Sequence, residues 1–206
     1  MGSVGRGRWW DAARLAGLTL LLIPPTIFIH ELGHLSVPLL LGLPAELHPT
    51  TVLGGAQLGE VPGWMVAAQA GAGPAVTIIM TLSAAFLFAR RGHPLWALAL
   101  AVAAGHRFYV TTGYLLLRLL LSLIGRPYGG TPNFDEHNVA TALGLPPVAL
   151  AIAGTIFLFG LLAWLMRRVP KERRFSYVLG LIAGIAAGSL LWEALAPAPL
   201  FTINGA

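Results

Sequence analysis

Five long apolar runs, separated by shorter polar stretches, dominate the chain. They extend over about residues 12–41, 64–89, 94–124, 147–166 and 175–195. A helix of about 20 residues crosses the roughly 30 Å hydrocarbon core of a bilayer, so each run is long enough for one crossing. The pattern therefore predicts an all-α membrane protein, built as a bundle of about five transmembrane helices.

The third run differs from the others in length and in its polar interruptions. It is too long for one straight crossing and too short for two. Gly105-His106-Arg107 and Thr111-Thr112-Gly113 break its apolar character. We therefore expect a tilted or broken helix in this part of the chain.

Residues 42–63 interrupt the helical pattern altogether. Glycine and proline are too dense there for a helix, and we expect short strands or a β-hairpin around Gly54-Gly55. Irregular backbone at membrane depth must be covered by protein or line a cavity. An edge strand in this non-helical insertion can pair with an extended peptide.

Composition supports the membrane assignment. The mean hydropathy is +0.76 and only 10% of the residues are charged, which is typical of integral membrane proteins. The chain contains no cysteine, which excludes disulfides and thiolate metal sites. We expect an integral, multi-pass protein of a prokaryotic-type cell membrane. It forms a single transmembrane domain over residues 1–206, with a catalytic core at about 12–145 and additional spans at about 147–196.

Basic residues predict the orientation of the chain. The net charge of +5 does not indicate nucleic-acid binding, because the basic residues cluster at the ends of apolar runs. With five spans, Arg14, Arg90, Arg91 and the basic residues of 167–174 fall on one side, which is expected to be cytoplasmic. The end of the first span and the polar turn at 125–138 then share the opposite side.

Candidate chemistry lies within the first apolar run, as His30-Glu31-Leu32-Gly33-His34. Residues four apart share a helix face, so His30 and His34 can bind one Zn²⁺. Glu31 is not needed as a ligand and can act as a general base on a water whose pKa the zinc lowers. The same short pattern also arises by chance in proteins that bind no metal. Charged groups at membrane depth, however, are costly and mark functional candidates.

Catalytic zinc usually has three protein ligands and one open position, and the helix supplies only two. The candidates for the third ligand are His48, His106, Asp135, Glu136 and His137. We favour Asp135, because a bundle of five spans places its turn on the same side of the membrane as the motif at the end of the first span. Glu136 and His137 remain the alternatives. A competing interpretation makes Asn133 or Asp135 the N-cap of a short helix at about 136–143.

Three ordered features carry a resemblance to a known family. They are the motif at 30–34, Ala72-Gly73-Pro74 at the second core helix, and Asn133-Phe134-Asp135 about a hundred residues after the motif. The chain resembles the site-2 protease family of intramembrane zinc metalloproteases. Two departures are visible: Phe134-Asp135-Glu136 replaces the family's Leu-Asp-Gly, and Thr77 stands where an Asn often follows Gly-Pro.

The resemblance implies hydrolysis of a peptide bond in a membrane-embedded substrate, inside or at the membrane. Zinc is then held by His30, His34 and Asp135, and Glu31 is the general base. Two other functions compete with this one. A non-catalytic metal-binding scaffold does not need Glu31, and a metal transporter needs polar residues along several spans, which most of these spans lack.

Overall fold

The computed structural model describes residues 3–126, 134–195 and 201–203. The elements are α1 (Ser3–Leu41), β1 (Ala45–His48), β2 (Thr51–Gly54), α2 (Gly63–Arg90), α3 (Leu95–Ala104), α4 (His106–Leu123), α5 (Asp135–Ala142), α6 (Ala149–Arg168), α7 (Lys171–Leu195) and β3 (Phe201–Ile203). Four helices, α1, α2, α6 and α7, are long and apolar enough to cross a membrane. The described residues are thus compatible with the predicted all-α membrane protein.

The third apolar run forms two helices rather than one. Gly105 ends α3 and begins α4. A β-carbon at Gly105 would lie 2.8 Å from Leu158 Cδ1, so a larger residue at this break would press on α6. The helix α3 is short and mostly buried, whereas the second half of α4 exposes leucines. The expected break is therefore present, and it leaves four long apolar helices.

A glycine stripe on α7 packs against the first half of α1. A β-carbon at Gly180 would lie 2.5 Å from the Ala12 carbonyl oxygen, and one at Gly184 would lie 2.6 Å from the Ala16 carbonyl oxygen. Because both contacts advance along the two helices together, α1 and α7 run parallel. Small residues at spacing four allow this close backbone approach. The glycine stripe of α7 therefore serves packing.

The main hydrophobic core lies at the same end of the bundle. Leu15, Phe88, Leu98 and Leu165, from four different helices, are fully buried there. The arginines at the ends of α2 and α6 therefore lie near the start of α1, where Arg173 also forms an ion pair with Asp11 at 2.8 Å. We call this the basic end of the molecule. Its cytoplasmic location stays a prediction.

The insertion after α1 is a β-hairpin, but its turn is not at the predicted place. The pairing of His48 with Thr51 puts the turn at residues 49–50, so the expectation of a turn at Gly54-Gly55 was wrong. Those two glycines instead end β2 with φ of +79° and +75°, which L side chains rarely adopt. The Gln69 side chain holds the backbone at this end of β2, since it accepts from the Ala56 N–H at 2.6 Å and donates to the Gly54 carbonyl at 3.1 Å.

The hairpin belongs to a three-stranded sheet in the order β2-β1-β3, with antiparallel pairing throughout. Within the described residues, β2 pairs only with β1. One edge of β2 is therefore left for a further strand.

Candidate metal centre

The residues of the His-Glu-x-x-His motif are buried in the second half of α1. The exposed fractions of His30, Glu31 and His34 are 2%, 1% and 6%. Uninterrupted helix through this segment puts both histidines on one face, as their spacing predicts. That face is turned toward α2.

Two glycines let α1 and α2 approach closely at this point. A β-carbon at Gly33 would lie 2.9 Å from the Ala72 carbonyl oxygen. A β-carbon at Gly73 would lie 2.7 Å from His30 Nε2 and even closer to His34 Nε2. Real β-carbons almost never come so near, so Gly73 keeps the space in front of both imidazoles clear.

The short helix α5 brings Asp135 to the two histidines. Asp135 Oδ2 lies 3.0 Å from His30 Nε2 and 3.3 Å from His34 Nε2. Phe134 is the N-cap residue of α5, and within the described part of the chain no side chain caps the helix, so the interpretation of Asp135 as a capping residue was wrong. Its carboxylate points to the imidazoles instead. Asn133, the other capping candidate, lies outside the described residues.

The spacing of these atoms fits a tetrahedral metal ion. One ligand atom from each of His30, His34 and Asp135 can be chosen so that all lie within 4.8 Å of one another. The two Nε2 atoms are 3.1 Å apart. Ligand atoms about 2.0–2.1 Å from a tetrahedral zinc lie about 3.3–3.4 Å from each other, so only small adjustments are needed.

The other nitrogen of each imidazole has a partner of its own. His34 Nδ1 donates to the Gln69 carbonyl oxygen at 2.7 Å, which directs the lone pair of Nε2 in the neutral ring toward the site. His30 Nδ1 lies 2.8 Å from Thr77 Oγ1. Such outer contacts orient metal-binding imidazoles and fix their tautomer. With Asp135, three electron-pair donors converge on a point where a proton or a metal cation can bridge them.

Asp135 is suited to supply negative charge. Burial by itself raises the pKa of its carboxyl, but hydrogen bonding with His30 and His34 and the positive charge of Arg107 hold that pKa well below its ordinary value. The carboxyl is therefore ionised at neutral pH. An anionic ligand offsets the charge of a dication in a site largely shielded from water.

Arg107 completes the charge balance of the centre. Its Nη2 atom lies 3.5 Å from Glu31 Oε1 and 3.9 Å from Asp135 Oδ2. Glu31 Oε1 is buried and has no hydrogen-bond partner in the described part of the chain. A buried carboxylate oxygen without a hydrogen bond is costly, and the ion pair with Arg107 offsets part of that cost. Glu31 thus lies beside the candidate ligands without belonging to them.

The centre opens into a cleft of about 580 Å³. Its walls include Glu31, Arg107 and Asp135 on one side and the strand β2 on the other. The cleft therefore brings the free edge of the hairpin close to the polar groups of the centre.

The remaining ligand candidates lie elsewhere. His48 Nε2 is 3.5 Å from Glu46 Oε2 on the same strand, and His106 Nε2 is 2.7 Å from Ser189 Oγ on α7. Glu136 is buried at the start of α5, and His137 lines the cleft wall. Among the described residues, none of these four joins the converging group.

Two residues of the centre were missed by sequence reasoning. Thr77 was noted only as a departure from the family pattern, yet it contacts His30. Arg107 was noted only as a polar interruption of the third apolar run, and its position among apolar residues was the available signal.

No family model, no curated protein and no solved structure matches the chain. The interpretation of the centre rests on its own chemistry.

Proposed function

We propose that the chain is a zinc-dependent intramembrane protease, similar to the site-2 protease family, that hydrolyses a peptide bond of a membrane-embedded substrate. The observation that carries the proposal is the convergence of His30, His34 and Asp135 beside the carboxylate of Glu31, at the wall of a cleft. A purely structural metal site needs neither that carboxylate nor the cleft.

His30, His34 and Asp135 would hold the metal, and Gly73, Thr77 and the Gln69 carbonyl keep the two imidazoles in place. Bound there, Zn²⁺ supplies Lewis acidity that polarises a carbonyl group and makes water nucleophilic near neutral pH. The donor set of two imidazoles and one carboxylate is typical of catalytic rather than closed structural sites.

Glu31 moves the proton. It takes a proton from the attacking water and returns it to the nitrogen of the leaving amine. Arg107 offsets the negative charge of Glu31, which would otherwise be buried without compensation. Arg107 also lines the cleft, where its N–H groups can donate to a substrate carbonyl.

The cleft supports an extended substrate. A peptide bond within a helix is shielded by the helix, so the substrate must unwind locally before attack. Strand β2 (Thr51–Gly54) lines the same cleft. Its edge away from β1 offers main-chain hydrogen bonds to an added strand, apart from the Gly54 carbonyl, which already accepts from Gln69. Pairing there would hold the unwound segment next to Glu31 and Arg107.

The proposed setting is a prokaryotic-type cell membrane crossed several times. In this proposal α3 and α4 together form a broken fifth crossing beside the four long helices, and the basic end faces the cytoplasm. Because the chain has no native cysteine, Lys171→Cys can be labelled alone. We expect a membrane-impermeant reagent not to label this position in intact cells. Labelling from outside would mean that the orientation is the opposite of the proposed one.

A cleavage assay tests the function. The purified protein is placed in vesicles with a set of labelled single-span peptides, with and without a zinc chelator. Glu31→Gln is expected to lower cleavage about 10²–10⁴-fold while metal analysis still finds zinc, because the base is lost and the ligands stay. Glu60→Gln, which changes an exposed glutamate, is the matched control.

Full cleavage by Glu31→Gln contradicts the assigned role. Zinc bound by the wild-type protein, with no peptide cleaved under any condition, favours the non-catalytic scaffold instead.

A further inference from the structure

An apolar groove lies between α2 and α6, on a different part of the surface from the cleft. Its volume is about 1060 Å³, and its walls come from residues 82–90 of α2 and 156–164 of α6. All of the lining residues are apolar except Ser83 and Arg90. This volume lies slightly above the roughly 300–1,000 Å³ of ordinary ligand pockets. No lining residue is shared with the cleft beside the metal centre.

The groove faces outward from two helices that are long and apolar enough to cross a membrane. Phe86 and Trp164, from its two walls, are 53% and 38% exposed. In a bilayer such a surface meets acyl chains rather than water. The apolar part of the groove is therefore complementary to a hydrocarbon chain.

Each wall carries an arginine one helical turn beyond an aromatic ring. Arg90 follows Phe86 by four residues, and Arg168 follows Trp164 by four residues. The guanidinium carbon of Arg90 lies 4.6 Å from the centre of the Phe86 ring, and that of Arg168 lies 3.6 Å from the centre of the Trp164 ring. Arg90 lines the groove itself, and Arg168 stacks on the lining residue Trp164 at the same basic end.

Stacking leaves these arginines able to bind an anion. A guanidinium stacks through its flat face, whereas its N–H donors point outward in the plane and match phosphate oxygens in pairs. The rings also hold both side chains in place, which lowers the entropy lost when an anion binds. None of the described residues that line the groove is acidic.

We propose that this groove binds one anionic phospholipid, with an acyl chain between α2 and α6 and the phosphate held by Arg90 and Arg168. Interfacial aromatic residues and basic residues mark the level where headgroups lie. A second copy of the chain is a poorer occupant, because a two-fold parallel contact through the same surface would bring arginine against arginine.

Native mass spectrometry of the purified full chain tests the headgroup. The detergent contains equal amounts of phosphatidylglycerol and phosphatidylcholine with identical acyl chains. The wild-type protein is expected to retain one molecule of phosphatidylglycerol in preference to phosphatidylcholine. Arg90→Gln with Arg168→Gln should weaken that retention roughly 25-fold, at about fivefold for each arginine near a headgroup. Arg91→Gln with Arg167→Gln removes equal charge from the same end, outside the groove, and should have little effect.

Filling the groove tests the acyl chain. Gly160 lines the groove, and a β-carbon there would have no protein atom within 4 Å, so Gly160→Leu adds bulk to the groove without a clash at that carbon. It should displace the bound lipid and leave the melting temperature measured in lipid-free detergent unchanged, because a bound lipid would itself stabilise the wild type. Gly113→Leu, at a position equally clear of protein atoms but away from the groove, is the matched control and should retain the lipid.

Three outcomes overturn the proposal. An equal loss of phosphatidylglycerol retention in the two double variants means that the lipid is attracted by diffuse surface charge. Full retention by Gly160→Leu means that the groove is not used. A dimer in wild type that Gly160→Leu dissociates, with lipid retention unchanged, means that a second copy occupies the groove.

Discussion

The helix α1 meets a glycine-bearing helix at each of its two halves, and the two interfaces use glycine differently. Its first half packs against α7, where β-carbons at Gly180 and Gly184 would meet the backbone of α1. Its second half packs against α2, where a β-carbon at Gly73 would meet two imidazoles. The first interface thus brings two backbones together, whereas the second leaves room for chemistry between them.

The surroundings of the two interfaces differ in the same way. Around the α7 contact the core is apolar, with Leu15 and Phe88 fully buried. Around the α2 contact the buried groups are His30, Glu31 and His34. Buried ionisable groups cost stability, so they need a rigid frame that holds them in place. The comparison indicates that the basic end provides the packing and the opposite half of α1 provides the site.

Gly73→Ala should have the largest effect on zinc binding. The added methyl group would press on the Nε2 atoms of both His30 and His34, so we expect no bound zinc by metal analysis of the purified variant. Gly71→Ala is the matched control, because its β-carbon would meet Val139 at an ordinary 3.6 Å. Full zinc content in Gly73→Ala would show that the glycine only serves packing, as at α7.

Asp135→Ala should have the next largest effect. Removal of a direct ligand should lower zinc affinity by more than the roughly 10–100-fold cost of losing an outer contact. The measurement is competition with a chelator of known affinity. His137→Ala, two residues along the same helix, should bind zinc like the wild type. Loss of zinc in Glu136→Ala or His137→Ala, with a full complement in Asp135→Ala, means that the third ligand is another member of the cluster.

The spacing of residues along the helices was enough to indicate some features of the two interfaces. The histidines at i and i+4 and the glycines of α7 at spacing four depend only on helix geometry, and both patterns are present in the structure. The break at Gly105 followed from run length. Span parity also indicated that the turn before Asp135 lies on the side of the motif.

Features that depend on contacts between distant residues were not predictable in this way. The hairpin turn was placed at the wrong residues because Gly54-Gly55 resembles a turn, whereas these glycines serve the contact with Gln69. The roles of Thr77 and Arg107 depend on how α2 and α4 pack on α1. Sequence patterns alone also did not distinguish Gly73 at the site from a packing glycine.

Thr77→Val should have a smaller effect that sharpens the comparison. Valine keeps the shape of threonine but removes the oxygen that contacts His30 Nδ1. We expect zinc affinity to fall about 10-fold, at the lower end of the range for outer contacts. Thr81→Val, one turn further along α2 at another buried threonine, is the matched control. Unchanged zinc affinity in Thr77→Val would mean that backbone packing alone orients His30.

Gly184→Ala should have no effect on zinc affinity, although it changes the other interface of the same helix. Its methyl group would lie 2.6 Å from the Ala16 carbonyl oxygen, which forces α1 and α7 apart. Overpacking of this kind costs about 1–3 kcal/mol, and the better helix propensity of alanine offsets up to about 1 kcal/mol. We therefore expect the free energy of unfolding to fall by roughly 0–3 kcal/mol, measured by denaturant titration in detergent. Gly17→Ala, with no protein atom within 4 Å of its β-carbon, should be neutral or slightly stabilising. If Gly184→Ala instead lowers zinc affinity while unfolding stays the same, then the two halves of α1 are coupled, and the division between a packing end and a site end is wrong.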